Sequence, residues 1–177
     1  LKYIEELVKV KSQARVFIFG SIFGGTGASS IPVIPTAFNN AYNLFKDLPL
    51  DSKSLEAKFG ASLLTEYFKF KSPTDSQKKE KKNEVVADAS YFTLNSQAAL
   101  QFYQNDPTVK STYKCLYNVG WPVGDVADFS KGRVETETIT GGAAQKNPCH
   151  VTELLCAFAS YDFFNRDQFE EKSADYL

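Results

Sequence analysis

The most constraining stretch of the sequence is an apolar run that leads directly into a cluster of glycines and serines. Residues 16–19 read Val-Phe-Ile-Phe, and such a run of β-branched and aromatic residues is typical of a buried strand. Four glycines follow it, at Gly20, Gly24, Gly25 and Gly27. Pro32 then fits the first turn of a helix, where its missing N–H would have no partner in any case. The predicted order of strand, glycine turn and helix start is one that presents backbone N–H groups and a positive helix end to a phosphate.

The small residues of this turn are the candidate phosphate-binding residues. Glycine lets the backbone approach an anion closely, and two hydroxyl groups add hydrogen-bond donors. The predicted set is Gly24, Gly25, Thr26, Gly27 and Ser29. A glycine-rich turn also occurs where a helix simply packs tightly on a sheet, so a purely structural role is the alternative.

Two familiar types of phosphate loop fit the turn poorly. The Walker loop needs a Lys after its last glycine, and the chain has no Lys between Lys11 and Lys46. The dinucleotide loop needs a Gly-x-Gly-x-x-Gly pattern with an acidic residue some distance beyond it. Gly20 and Gly24 match a loose version of that pattern, and Asp47 lies near the expected distance.

A third loop type fits best. Residues 23–29, Phe-Gly-Gly-Thr-Gly-Ala-Ser, resemble the Gly-Gly-Gly-Thr-Gly-x-Gly loop of the tubulin and FtsZ superfamily. Phe23 replaces the first glycine of that loop and Ser29 the last. The following Pro-Val-Ile at 32–34 is similar to the Pro-Val-Val that follows the loop in FtsZ. The chain therefore resembles bacterial tubulin-like proteins.

The resemblance implies an α/β fold, a Rossmann-like three-layer domain with a mainly parallel sheet. It also implies that GTP or GDP is the cofactor, with Mg²⁺, and that Asn147 at the start of the last helix contacts the guanine base. Self-association is a further implication, with hydrolysis completed by a neighbouring subunit. The Asn-x-Asp-x-x-Asp pattern of the family's catalytic loop has no match here, so no catalytic residue is predicted and GTPase activity is left open.

The rest of the sequence predicts alternating helices and strands. Helices are expected at 1–11, at 32–46 and from Asn95, as N-cap, to residue 105; strands are expected at 59–70 and 114–119. The last helix is expected to begin at Asn147-Pro148 and to be buried between layers, because it is apolar on most sides. Its main apolar face comprises Val151, Leu154, Leu155, Phe158 and Tyr161. Such alternation is typical of α/β proteins with a mainly parallel sheet.

The 177 residues are expected to form one α/β nucleotide-binding-like domain, which we expect to be partial. The lysine-rich stretch near 71–88 is predicted to be a mobile polar insertion, and residues 123–146 are predicted to be rich in loops.

Composition limits the possible partners. A net charge of −1 argues against nucleic acid, and no apolar run is long enough for a membrane span. Three cysteines without metal-ligand spacing favour a reducing cytoplasm, and His150 with Glu153 lacks a third ligand, so no metal site is predicted. Two other functions remain open: a non-catalytic scaffold of the same fold, or an NAD(P)-dependent oxidoreductase that uses the Gly20–Gly27 turn. Tyr67 and Lys71 formally match the catalytic pair of short-chain dehydrogenases, but that pair works from a helix and the pattern here is strand-like and leads into Pro73.

Overall fold

The computed structural model describes residues 14–44, 57–69, 89–122, 127–128 and 150–166. The predicted helix at 1–11, the insertion at 71–88 and almost all of the loop-rich stretch at 123–146 lie outside these ranges. In chain order the elements are β1 (Arg15–Ser21), α1 (Gly25–Leu44), β2 (Lys58–Leu64), β3 (Phe68–Lys69), a 3₁₀ turn (Ala89–Tyr91), α2 (Phe92–Asn105), α3 (Pro107–Thr112), β4 (Tyr113–Val119), β5 (Ala127–Asp128) and α4 (Val151–Asn165).

The main sheet is parallel throughout, as the sequence predicted. Its strand order is β1-β2-β4, and both pairings are parallel. The middle strand is buried along its whole centre, from Phe59 to Leu63, which is typical of a parallel strand covered on both faces. The strand predicted at 59–70 ends at Leu64, and the short β3 that follows pairs with β5 instead. A mixed α/β fold with an all-parallel three-stranded sheet is thus established.

Helices cover both faces of this sheet. On one face, side chains from α1, α2 and α3 pack on alternate residues of the strands. On the other face, α4 packs on the remaining residues, including Phe17, Cys115 and Tyr117. The alternation breaks once in β4, because a register shift at Lys114 turns both Tyr113 and Leu116 toward the first face.

Helix α1 begins earlier than predicted, and its prolines lie in its interior. It starts at Gly25, so Pro32 and Pro35 stand well past the first turn. An interior proline removes the N–H that would bond to the carbonyl four residues before it. Those carbonyls belong to Ala28 and Ile31, and each accepts a hydrogen bond from a tyrosine. The Tyr103 hydroxyl donates to the Ala28 oxygen and the Tyr113 hydroxyl to the Ile31 oxygen, both at 2.6 Å.

The starts of two other helices also differ from the sequence prediction. Helix α2 begins at Phe92 with Tyr91 as its N-cap, so Asn95 lies inside the first turns and is not the cap. Its side chain instead donates to the Phe23 carbonyl. Helix α4 begins at Val151, where the His150 side chain caps it by accepting from the Thr152 N–H. The predicted start at Asn147-Pro148 was therefore too early.

The burial predicted for α4 was wrong for its main apolar face. The side chains that face the sheet are Thr152, Cys156, Ala159 and Phe163. The predicted face is exposed instead, with 44% to 69% of each side chain accessible: Val151, Leu154, Leu155, Phe158 and Tyr161. The smaller residues at 156 and 159 let the helix approach the strands closely, and Gly60 completes this fit. A Cβ at Gly60 would lie 2.6 Å from the Phe163 ring.

Polar contacts join the C-terminal end of α4 to strands β1 and β4. The Arg15 guanidinium donates from Nη1 to the carbonyl oxygens of Phe163 and Phe164, at 2.8 and 3.1 Å. These are carbonyls of the last helical turn, which have no donors within the helix. Asp162 accepts from the Tyr117 hydroxyl and from Nε of Arg166. The Tyr117 bond is the main reason that the pKa of Asp162 is lowered.

Candidate functional site

The predicted phosphate loop lies where β1 ends and α1 begins, at the carboxyl edge of the parallel sheet. Residues 22–24 form the bend and Gly25 is the first residue of the helix. The first amide that bonds back along the helix here is that of Ala28, which donates to the Gly24 oxygen at 3.2 Å. The amides of the first turn before it have no helical acceptor, and the positive end of the helix dipole adds to their field. The turn therefore has the geometry that binds anions at helix starts.

The glycines of this turn serve two different purposes. A Cβ added at Gly24 or Gly25 would meet no atom of the described residues within 4 Å. A Cβ added at Gly27 would overlap the carbonyl oxygen of Ser21, the last residue of β1. Gly27 is thus required for close packing of α1 on β1, whereas packing does not explain the other two.

The serine hydroxyls of the first helical turns already donate hydrogen bonds within the helix. The Ser29 hydroxyl donates to the Thr26 carbonyl at 3.2 Å, and Ser30 donates to the same oxygen at 2.7 Å. Ser29 thus offers an acceptor oxygen in this conformation, and it becomes a donor to a ligand only after rotating away from Thr26. The Ser29 hydroxyl, which the sequence predicted to be a donor to the ligand, can therefore take that role only after this rotation.

A cleft of about 480 Å³ opens beside these residues, between α1 and α2. Gly24, Gly25, Ser29 and Asn95 form its polar end. The remaining lining is apolar or aromatic: Ala28, Pro32, Ala98, Ala99, Phe102 and Tyr103. None of the described residues in the lining carries a charged side chain, so among them the backbone amides and the helix dipole are the source of positive potential at this end.

Asn95 connects the two walls of the cleft, and its role was missed at the sequence level. Its side-chain Nδ2 donates to the Phe23 carbonyl at 3.1 Å, and this bond fixes the glycine turn to α2. The Phe23 ring lies 4.9 Å from the ring of Phe92 and 5.7 Å from that of Phe68. The Asn95 hydrogen bond and the aromatic contacts of Phe23 therefore hold the glycine turn in place. Gly24 and Gly25 themselves are not tightly packed against the described residues.

A second group of polar and aromatic side chains lies farther along the carboxyl edge. The Tyr67 ring is 6.3 Å from Phe23 and 4.8 Å from His150, whose own ring is 5.0 Å from Trp121. The Tyr67 hydroxyl also donates to Oε1 of Glu153 at 2.9 Å. This row of rings connects the glycine turn with the start of α4, and no pattern in the sequence had grouped these residues.

A buried carboxyl group also follows strand β2 and was not predicted. Glu66 is 7% exposed, and its Oε2 accepts a 2.6 Å hydrogen bond from the Ser96 hydroxyl. The signal in the sequence was its place just after the strand, but the prediction extended that strand to residue 70. Glu66 and Ser96 join β2 to α2 at the same edge as the glycine turn.

The structure brings together five of the predicted site residues, and the sixth is not among the residues that it describes. Gly24, Gly25, Thr26, Gly27 and Ser29 all lie at the start of α1. Asn147, the predicted base contact, lies outside the described residues, and so do Asp47 and Lys71. Tyr67 lies between strands and not on a helix, which is the wrong setting for the dehydrogenase pair.

The described residues contain no group of three or more His, Cys, Asp or Glu side chains placed to hold a metal ion. Within the same ranges, none of the helices has the length and apolarity needed to cross a bilayer. Comparison of the chain with family profiles, with curated protein sequences and with solved structures finds no match.

Proposed function

We propose that this chain binds a guanine nucleotide, with the phosphates on the amides at the start of α1. The observation that supports the proposal is the open space at Gly24 and Gly25. Neither glycine is needed for packing, yet both line the cleft at a helix N-terminus. Glycines at such a position allow an anion to reach the backbone N–H groups, which a side chain would obstruct.

The guanine base and the rest of the proposed activity follow from the resemblance to tubulin-like proteins. In this proposal GTP or GDP binds with Mg²⁺ in a Rossmann-like three-layer domain, and Asn147 contacts the base. Self-association accompanies binding, and a neighbouring copy completes any hydrolysis. The reducing cytoplasm is the proposed location.

A scaffold function is the second candidate, and one observation favours it. Gly27 is required for α1 to pack on β1, so part of the glycine cluster has a purely structural role. In a scaffold the fold persists without nucleotide, and Gly24 and Gly25 would have no ligand. No comparable observation favours the oxidoreductase.

Calorimetry with the full chain distinguishes these functions. We would titrate GTP, GDP, ATP and NAD into the wild-type protein and into the Gly25→Asp and Gly25→Asn variants. Both substitutions add a side chain of similar size in open space, but only Asp adds a negative charge. The negative charge of Asp at the first position of a helix also interacts favourably with the helix dipole. Gly25→Asp should therefore fold at least as well as wild type.

We expect guanine nucleotides to bind to wild type and to bind much more weakly to Gly25→Asp. The affinity of Gly25→Asn should lie between those of the other two proteins. Binding of NAD in place of GTP would support the oxidoreductase. A well-folded wild-type protein that binds none of the four ligands would refute nucleotide binding and favour the scaffold.

A further inference from the structure

The glycine turn depends on its neighbours for a fixed conformation. Gly24 and Gly25 have no side chain to pack, and the backbone of glycine has more freedom than that of any other residue. A backbone hydrogen bond from the Ile22 N–H to the Leu64 oxygen, at 2.9 Å, precedes the bend, and the bond from Ala28 to Gly24 follows it. Any tertiary contact that orders the two glycines between these bonds therefore acts through the backbone.

Helix α2 donates to a backbone carbonyl on each side of the turn. Before the turn, Nδ2 of Asn95 donates to the Phe23 oxygen at 3.1 Å. After it, the Tyr103 hydroxyl donates to the Ala28 oxygen at 2.6 Å. The two donors lie about two helical turns apart on α2. Residues 24–27 are thus bracketed by two hydrogen bonds from a single helix.

The part of α2 that carries Asn95 is itself fixed to the rest of the fold. Ser96, the next residue, is 3% exposed, and its hydroxyl bonds to the buried Glu66 that follows β2. Ala99, one turn farther on, is buried in the core between α2 and the sheet. A side chain on an anchored helix places a functional group more precisely than one on a loop. Asn95 therefore connects the turn to the core of the domain.

We propose that Asn95 is a positioning residue of the phosphate site, which holds the glycine turn in its binding conformation before a ligand arrives. This inference rests on the nucleotide binding proposed above. A site that is already ordered binds more tightly, because binding then costs less conformational entropy. Without the Asn95 bond the turn adopts its binding conformation only part of the time, and the apparent affinity falls by that fraction. Loss of one hydrogen bond corresponds to a loss of roughly three- to tenfold in affinity.

The test compares wild type with Asn95→Ala and Asn105→Ala, all as the full chain. Asn105 is the matched control, because it lies at the other end of α2 and its Nδ2 donates to the Gln101 carbonyl of the same helix at 2.8 Å. Both substitutions remove one asparagine amide from α2, but only Asn95→Ala removes a bond to the turn. Circular dichroism establishes that each variant is folded.

Backbone dynamics of the ligand-free proteins are the first measurement. Relaxation of ¹⁵N gives order parameters for the amides of Gly24, Gly25 and Thr26, and relaxation dispersion detects slower exchange. We expect order parameters of about 0.85, the value of a rigid backbone, in wild type and Asn105→Ala. In Asn95→Ala they should fall below about 0.6, or the same amides should show new exchange. A turn that is as rigid in Asn95→Ala as in wild type would overturn the proposal.

Affinity is the second measurement. Calorimetry with GTP and with inorganic triphosphate, at one Mg²⁺ concentration, should show a loss of roughly three- to tenfold for both ligands in Asn95→Ala and no loss in Asn105→Ala. The loss should be equal because the turn binds the phosphates that the two ligands share. A loss for GTP alone would make Asn95 a contact for the nucleoside and would contradict the positioning role. Unchanged affinity for both ligands in spite of a more mobile turn would contradict it as well.

Failure of this inference can be distinguished from failure of the proposed function. If wild type binds neither ligand, the nucleotide site itself is refuted, and Asn95 has no ligand site to position. The order parameters then still show whether Asn95 holds the turn as a purely structural contact.

A second variant keeps the test decisive if Asn95→Ala does not fold. Asn95→Asp retains the size of the side chain and removes the donor to the Phe23 carbonyl. Its order parameters are then the readout, because the added negative charge would by itself weaken the binding of an anion. An unchanged, rigid turn in Asn95→Asp would overturn the proposal.

Discussion

The hydroxyl of Tyr103 donates a 2.6 Å hydrogen bond to the carbonyl oxygen of Ala28, the carbonyl that Pro32 deprives of its helical donor. The same relationship recurs one turn later, where Tyr113 donates to Ile31, four residues before Pro35. Two interior prolines would ordinarily break a helix. Here α2 and β4 each supply a buried hydroxyl at the required place, so α1 continues from the glycine turn as one helix.

These pairs predict a specific pattern in a double-mutant cycle. Tyr103→Phe should destabilise the protein by about 1–3 kcal/mol, because the partly buried Ala28 carbonyl loses its donor. In the Pro32→Ala background the helix regains an N–H for Ala28, so the same substitution should cost less. Urea unfolding of the four proteins measures the coupling.

The second pair is the control for the first. Tyr113→Phe should cost as much with Pro32→Ala as without it, because its partner carbonyl depends on Pro35. If Pro32→Ala reduces the cost of both tyrosine substitutions equally, the assignment of one tyrosine to each proline is wrong.

The two kinds of glycine in the turn predict opposite effects of alanine on stability. Gly27→Ala should destabilise the protein by about 1–3 kcal/mol or more, because its Cβ would overlap the Ser21 carbonyl oxygen. Gly25→Ala should leave stability unchanged or raise it by about 0.4–1 kcal/mol, because alanine restricts the unfolded chain and its Cβ meets none of the described residues in the folded one. Equal destabilisation by the two substitutions in thermal or urea unfolding would contradict this division of roles.

The local patterns in the sequence predicted the elements but not their limits. The apolar run at 16–19 and the glycine turn after it correctly indicated a strand followed by a helix. Pro32 indicated a helix start, because its missing N–H is tolerated there. In the structure Pro32 lies in the interior of α1. The helix tolerates it there because Tyr103 donates to the Ala28 carbonyl, 75 positions away in the sequence. A hydrogen bond between residues so distant in sequence leaves no local signal.

In the candidate site, too, the features set by local sequence were predicted and those set by distant contacts were not. Its backbone part, from Gly24 to Ser29, was predicted because glycine content carries a direct conformational and steric meaning. Asn95 and Glu66 were missed because their importance comes from tertiary contacts with Phe23 and Ser96. For α4, apolar periodicity predicted a buried face. The sheet instead selected the face with the smaller residues Cys156 and Ala159, which permits closer approach.

The contact between Gly60 and Phe163 predicts strong coupling across the sheet–helix interface. Gly60→Ala should destabilise the protein by about 1–3 kcal/mol, because the Phe163 ring occupies the position of the new Cβ. Phe163→Leu shortens the side chain at that position, so the double variant should be more stable than the sum of the single effects predicts. Urea unfolding of all four proteins tests this, and simple additivity would contradict direct contact as the cause.

Stability at alkaline pH should depend on the buried tyrosines. Burial raises the pKa of Tyr103 to about 12, whereas an unfolded tyrosine titrates near 10, the ordinary value for the side chain. The folded state therefore keeps this proton after the unfolded state has lost it. The resulting stability is complete below about pH 10 and is lost as pH rises toward 12. Burial also raises the pKa of Tyr113 and Tyr117, so they add to the same trend.

Tyr103→Phe should therefore make the fall in stability between about pH 10 and 12 shallower, by at most about 1.4 kcal/mol per pH unit. Urea unfolding at a series of pH values measures the slope. Comparing each variant with its own stability at neutral pH removes the separate cost of the lost hydrogen bond to Ala28. Tyrosinate absorbance in the native protein provides an independent measurement, because one fewer late-titrating group should appear in the variant. A slope equal to that of wild type would mean that Tyr103 titrates alike in both states, and its hydroxyl would then be accessible to solvent in the folded protein.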